Sequence, residues 1–211
     1  MAATHTFSKG EEIANSITHG IGAILSVAGL VLLICFSAMD GTAWQIVSFT
    51  VFGCTMLFLY LSSTLVHSWR NGKAKDVFEI LDHSAIYFFI AGTYTPYLLI
   101  IVKGWEGWTM FGVIWGFAIL GTVFKCYFVK KYLFTSTILY VFMGWLIVLI
   151  WNPVVMNLNP AGVHLLVAGG IIYTLGAIFY VWRGFKYHAI WHLFVMAGSA
   201  CHFFGILFYV K

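Results

Sequence analysis

The sequence predicts an all-α integral membrane protein, a bundle of seven transmembrane helices with its N-terminus cytoplasmic and its C-terminus outside. Three observations predict the class. Of the 211 residues, 62% are hydrophobic and only 9% charged, at a mean hydropathy of +0.94, whereas soluble domains carry about 25% charge. Apolar stretches of about 20 residues, the length needed to span a bilayer, recur seven times along the chain. None of them alternates apolar and polar residues as transmembrane strands do; Leu30-Val-Leu-Leu-Ile-Cys-Phe36 and Leu165 to Ile172 are continuously apolar.

Taken in order, Met1 to Glu12 is polar and mixed in charge and lacks the basic, apolar and small-residue order of a cleaved signal peptide. The first span, about Ile17 to Met39, is therefore expected to direct insertion itself. The second runs from Ala43 to His67, the third from Leu81 to Val102, and the fourth from Trp108 to Phe128. The fifth covers Tyr132 to Trp151, the sixth Ala161 to Trp182, and the seventh His188 to Val210. Connections are short, and no repeat or low-complexity segment stands out. Residues 1–16 read as a cytoplasmic N-terminal segment and 17–211 as one seven-helix domain, with no room for a sizeable soluble domain. The glycines of spans one and six (Gly20, Gly22, Gly29; Gly169, Gly170, Gly176) suit close helix packing in lipid.

Orientation follows from lysine and arginine, which concentrate on the cytoplasmic side. Lys9 precedes span one. Arg70, Lys73 and Lys75 lie between spans two and three. Lys125, Lys130 and Lys131 lie at or between the ends of four and five, and Arg183 and Lys186 between six and seven. Seven spans put all of these on one side, leaving only Lys103 and Lys211 opposite. The net charge of +4 thus marks topology. No aromatic-basic patch or reader domain suggests nucleic acid, and no soluble protein partner is evident. Cys35, Cys54, Cys126 and Cys201 have no paired spacing and read as small buried hydrophobes.

The ionisable groups converge on that cytoplasmic side. His67 ends span two, Asp82 opens span three, and His188 and His192 open span seven. Ionisable side chains in membrane segments are costly and point to function. His188 and His192, four residues apart, share a helix face about one turn apart, a spacing that lets two imidazoles bind one metal. Ser63 precedes His67 by one turn, His83 follows Asp82, and Glu12, Asn15 and His19 sit together at the start of span one. An i, i+4 histidine pair alone also fits interfacial or capped side chains, and Asp82 alone fits a helix N-terminus. Together, three imidazoles and one water form a typical catalytic zinc set, although copper, iron or nickel accept the same donors. In that set Asp82 would take a proton from the water, and Ser63 would fix the water or a substrate oxygen. His202 lies deeper in span seven and reads as a packing or hydrogen-bonding residue. His164 is at the opposite side, and His5 is in the tail.

Five motifs, taken together and in order, carry a resemblance. They are Glu11-Glu-Ile-Ala-Asn-Ser-Ile-Thr-His-Gly20, Ser62-Ser-Thr-Leu-Val-His67, Leu81-Asp-His-Ser-Ala-Ile-Tyr87, Ala91-Gly-Thr-Tyr-Thr-Pro96 and His188-Ala-Ile-Trp-His-Leu-Phe194. They closely resemble the bacterial hemolysin III family, within the progestin and adiponectin receptor (PAQR) superfamily. The resemblance covers nearly the whole chain from Glu11 on. It implies a seven-helix bundle with a cytoplasmic N-terminus, the orientation reached above from charge. It also implies a Zn2+ ion near the cytoplasmic face, held by residues matching His67, His188 and His192. Asp82 matches the aspartate facing the zinc-bound water, and Ser63 the motif serine. Glu12, Asn15 and His19 match a motif without a settled role. His83 departs from the receptors' pattern and suggests a fourth metal contact or a proton relay. The long N-terminal region of the animal receptors is missing, so hormone signalling is not carried over.

Three functions follow as expectations. The first is an intramembrane metal hydrolase cleaving an amide or ester of a membrane lipid, ceramidase-like, in the bacterial plasma membrane. The second is a non-enzymatic sensor, homeostasis or receptor-like protein with structural zinc. The third, a cytolysin, is the weakest. The polar residues gather at one face instead of lining a path through the bilayer, and no soluble-to-membrane amphipathic segment is present.

Overall fold

The structure, a computed structural model, describes residues 7–181 and 187–211, with the Tyr187 side chain left aside. His5, the expected span-six end at Trp182, and the topology markers Arg183 and Lys186 lie outside the described residues. The architecture is all-helical: no strand occurs among the described residues, and seven helical segments there are long and apolar enough to cross a membrane.

Helix α1 (Lys9–Asp40) begins well before Ile17. Its N-terminus is a capping box, in which Ser8 Oγ accepts from Glu11 N–H and Glu11 Oε2 accepts from Ser8 N–H at 2.8 Å. That pairing satisfies donors a helix start leaves open, and Glu11 and Glu12 complement its dipole. Lys9 to Ser16 of the expected N-terminal segment are thus the first turns of the same helix. Helix α2 (Ala43–Ser68) starts with the same device from Thr42 and Gln45.

In α1 the buried face is small and polar (Asn15, His19, Gly22, Ser26, Gly29, Leu33, Ser37), while Ile17, Ile24 and Val31 point outward. This inversion of the soluble pattern suits lipid, where helices approach through small residues. The Gly22 position shows the tolerance: a Cβ there would sit 2.5 Å from the Tyr60 ring of α2.

Helix α3 (Lys73–Pro96) continues as a wide π-helical segment, Tyr97–Val102, where Lys103 N–H bonds Leu98 O. The widening coincides with Pro96, which cannot donate to the helical ladder. This span is the bundle's centre: 67% of its most apolar stretch is buried, against 17% for α4 (Gly104–Phe128). Lys125, counted among the basic residues at the end of span four, is fully buried in α4, and Lys130 carries the exposed ion pair to Asp76.

The fifth span is broken, contrary to the uninterrupted expectation. Helix α5 (Leu133–Trp145) passes through a 3-10 turn, Leu146–Ile150, into α6 (Trp151–Asn157). Pro153 deprives the Leu149 carbonyl of its helical donor. The Tyr94 hydroxyl fills the break, donating to Gly144 O at 2.7 Å and accepting from Ile147 N–H at 2.7 Å. Helix α7 (Pro160–Val181) packs along α8 (Tyr187–Tyr209).

Candidate metal centre

Two helix ends carry the three histidines. His67 sits in the last turn of α2, and His188 and His192 occupy the first turns of α8. One nitrogen from each lies within 4.8 Å of the others. Their ring centroids are 4.7 to 5.4 Å apart, and His67 and His192 are buried. The i, i+4 pair on α8 is completed by α2 because α1 packs against both helices.

Hydrogen bonds from α1 set the tautomers of two of the rings. His67 Nδ1 donates to Glu12 Oε2 at 2.7 Å, which leaves its Nε2 as the lone-pair nitrogen; Nε2 is buried without a hydrogen-bond partner. His192 Nδ1 lies 3.0 Å from Thr18 Oγ1. That hydroxyl lies 2.9 Å from both the Ala14 and Asn15 carbonyls; giving its one proton to either leaves its oxygen to accept from Nδ1–H, which puts the lone pair of His192 on Nε2. Metal-binding imidazoles are held this way, one nitrogen donating to an oxygen and the other facing the ion. An all-imidazole donor set, two of its rings held through Nδ1, with an orphaned buried nitrogen fits a borderline cation such as zinc.

Glu12 is itself held by the Lys75 ammonium at the start of α3. Asn15 and His19, one turn and two turns along the same face, are buried. The His19 ring stacks on His192 at 3.5 Å and 13°. Phe7 packs over the other side, 5.5 Å from His67 and 4.8 Å from His188. Asp82, on α3, is not one of the three converging groups, but it stands beside them with the Ser63 side chain of α2 in hydrogen-bonding reach. His83 points elsewhere: its Nδ1 donates to Glu79 O at 2.8 Å, and its Nε2 accepts from the Tyr180 hydroxyl at 3.1 Å. Both ring nitrogens are therefore already engaged.

Two spaces meet at the histidines. An apolar cavity inside the bundle, walled by residues such as Phe89, Tyr97, Trp145 and Val195, reaches His19, Ser63 and His192. A wide polar mouth at the helix ends is lined by Lys9, Glu12, His67, Arg70, Lys75 and Glu79 among others. Asp82 and His188 line both.

Sequence reasoning missed Thr18, Lys75 and Phe7. Thr18 follows Asn15 by three residues and so shares its side of α1, which was the available signal. Nothing local marks Lys75 or Phe7, whose roles arise from contacts with other helices.

Comparison with known proteins identifies relatives of the chain. The profile of the family described as Haemolysin-III related matches residues 7–203. The chain is 54% identical over 204 residues to Hemolysin-3 homolog of Bacillus subtilis (strain 168), covering 96% of each. It is 54% identical over 201 residues to Hemolysin-3 of Bacillus cereus, covering 95% of this chain and 92% of that one. Monocyte to macrophage differentiation factor of Homo sapiens, a PAQR member, is 32% identical over 207 residues, with 95% of this chain and 84% of that protein covered. A profile spanning nearly the whole chain and bacterial relatives covered over nine-tenths of their length leave one assignment: the protein belongs to the haemolysin III family of multi-pass membrane proteins and is related to the PAQR proteins.

Proposed function

We propose that the protein is a zinc-dependent hydrolase that cleaves an amide or ester of a membrane lipid, with its centre at the cytoplasmic face of the bacterial cell membrane. The observation that carries this reading is the junction. Three convergent histidines, with Asp82 and Ser63 beside them, stand where an apolar intramembrane cavity meets a polar mouth. An amphiphile would place its acyl chain in the first and its headgroup in the second, with the bond between them at the histidines.

His67, His188 and His192 would hold the ion; bound there, zinc supplies Lewis acidity and a water with a pKa of about 7. Three protein ligands among the described residues leave a tetrahedral ion one open position, as catalytic sites do. Asp82 serves as general base and acid, taking a proton at a carboxylate oxygen and returning it to the leaving nitrogen or oxygen. Ser63 holds that carboxylate in one orientation or turns to a substrate oxygen. The apolar walls exclude water and align the chain. The basic flanks Lys9, Arg70, Lys73, Lys75, Lys130 and Lys131 belong to the same end of the bundle as the histidines, which supports the cytoplasmic placement.

The test is purified protein analysed for metal and challenged with a broad panel of ceramides, other lipid amides and lipid esters. One equivalent of zinc and chelator-sensitive release of fatty acid are expected. Bound zinc with no turnover of any lipid would overturn the hydrolase and leave a sensor with structural metal. Liposome leakage that persists in His188→Ala would point instead to lysis, as the relatives' names suggest.

A further inference from the structure

The apolar cavity does not stay apolar. Helix α8 carries His202 ten residues beyond His192, about 15 Å further along the helix axis. Its side chain is buried, lines the cavity, and leaves Nδ1 without a hydrogen-bond partner among the described residues. The neighbouring polar groups are paired among themselves. Tyr60 donates to Ser199 Oγ at 2.7 Å, and the Tyr173 hydroxyl lies 2.8 Å from the same oxygen. His202 only stacks on the Tyr173 ring, at 5.6 Å and 27°.

A second orphan lies close by. Tyr97, at the π-helical segment of α3, is 1% exposed, lines the same cavity, and has a hydroxyl with no partner. That hydroxyl would sit 3.0 Å from a Cβ at Gly205, which follows His202 by three residues on the same side of α8. Helix α7 is also cut away to admit the imidazole: a Cβ at Gly169 would lie 2.4 Å from His202 Nε2. An ionisable ring deep in a membrane span is expensive and functional by default, and buried donors without partners are costly.

We infer that His202 and Tyr97 form a second polar subsite, deep in the cavity, that binds a hydroxyl group carried well down a lipid's acyl chain. A hydroxyl both donates and accepts, so it satisfies one nitrogen and one phenol at once. This deepens the hydrolase reading by naming a substrate class, lipids with a mid-chain hydroxylated acyl group. Chain recognition at this depth is separate from the chemistry at the histidines.

The test reads binding, not turnover. Radiolabelled stearic acid and stearic acids hydroxylated at successive mid-chain carbons are bound to the full-length protein in nanodiscs. One mid-chain isomer should bind about five- to tenfold more tightly than stearic acid, the equivalent of one net hydrogen bond. Tyr97→Phe removes a single unpartnered oxygen and keeps the packing; it should reduce the preference with stearic acid binding unchanged. His202→Leu should abolish it. Equal affinity for all chains, no binding of any, or a preference that survives both substitutions would overturn the subsite. A retained preference in a protein that turns over no lipid would keep the subsite and overturn the hydrolase.

Discussion

Glu12 of α1 accepts a hydrogen bond from His67 Nδ1 of α2 at 2.7 Å, and Lys75 of α3 holds the other oxygen of the same carboxylate. Three helices thus meet at one carboxylate behind an imidazole of the three-histidine cluster. Such supporting groups set ring orientation, and losing one costs about 10- to 100-fold in metal affinity. Glu12→Ala is expected to weaken zinc binding by that factor, measured by competition with a chelator of known affinity. Lys75→Ala should weaken it less, because the Glu12–His67 bond survives.

Thr18 does for His192 what Glu12 does for His67. Its hydroxyl lies 2.9 Å from two backbone carbonyls and, with its one proton given to either, accepts from the ring. Thr18→Val is isosteric but removes that acceptor, and it should lower zinc affinity by about tenfold. Thr18→Ser should restore most of the loss. Equal affinity in all three proteins would show that the hydroxyl does not set the tautomer.

Asp82 separates catalysis from structure. It stands beside the three histidines without being one of the converging groups. Asp82→Ala should keep the fold and one equivalent of zinc while turnover of a lipid amide or ester falls by about 10²- to 10⁴-fold. Loss of zinc together with helicity would instead make Asp82 part of a structural site. His192→Ala, in contrast, should lose the metal.

Tyr94 tests the broken fifth span. Its hydroxyl is the partner of Gly144 O and Ile147 N–H at the 3-10 turn. Tyr94→Phe leaves those buried groups unpaired and should cost about 1–3 kcal/mol, read as a lower melting temperature in detergent. Zinc content should not change, since Tyr94 is on the cavity wall and not among the metal-directed groups.

Seven spans could be read from the sequence because hydropathy is local: each stretch reports its own transfer free energy, whatever its neighbours. The ends were less legible. Ser8 and Glu11 carry a capping signal in the sequence, yet the helix they start runs through polar residues that hydropathy assigns to a tail. The break in span five needs Pro153, visible in the sequence, and Tyr94, which arrives from another helix.

The histidines were legible as residue types at one end of the bundle, because alternating spans put His67, His188 and His192 at a common depth. Only the tertiary structure brought their nitrogens within 4.8 Å. It also turned His83 away toward Glu79 and Tyr180, buried Lys125, and placed Thr18 behind His192. These outcomes depend on which faces of distant helices touch. That is settled by close packing through small residues such as Gly22 against Tyr60, a pairwise property that no single stretch of sequence contains.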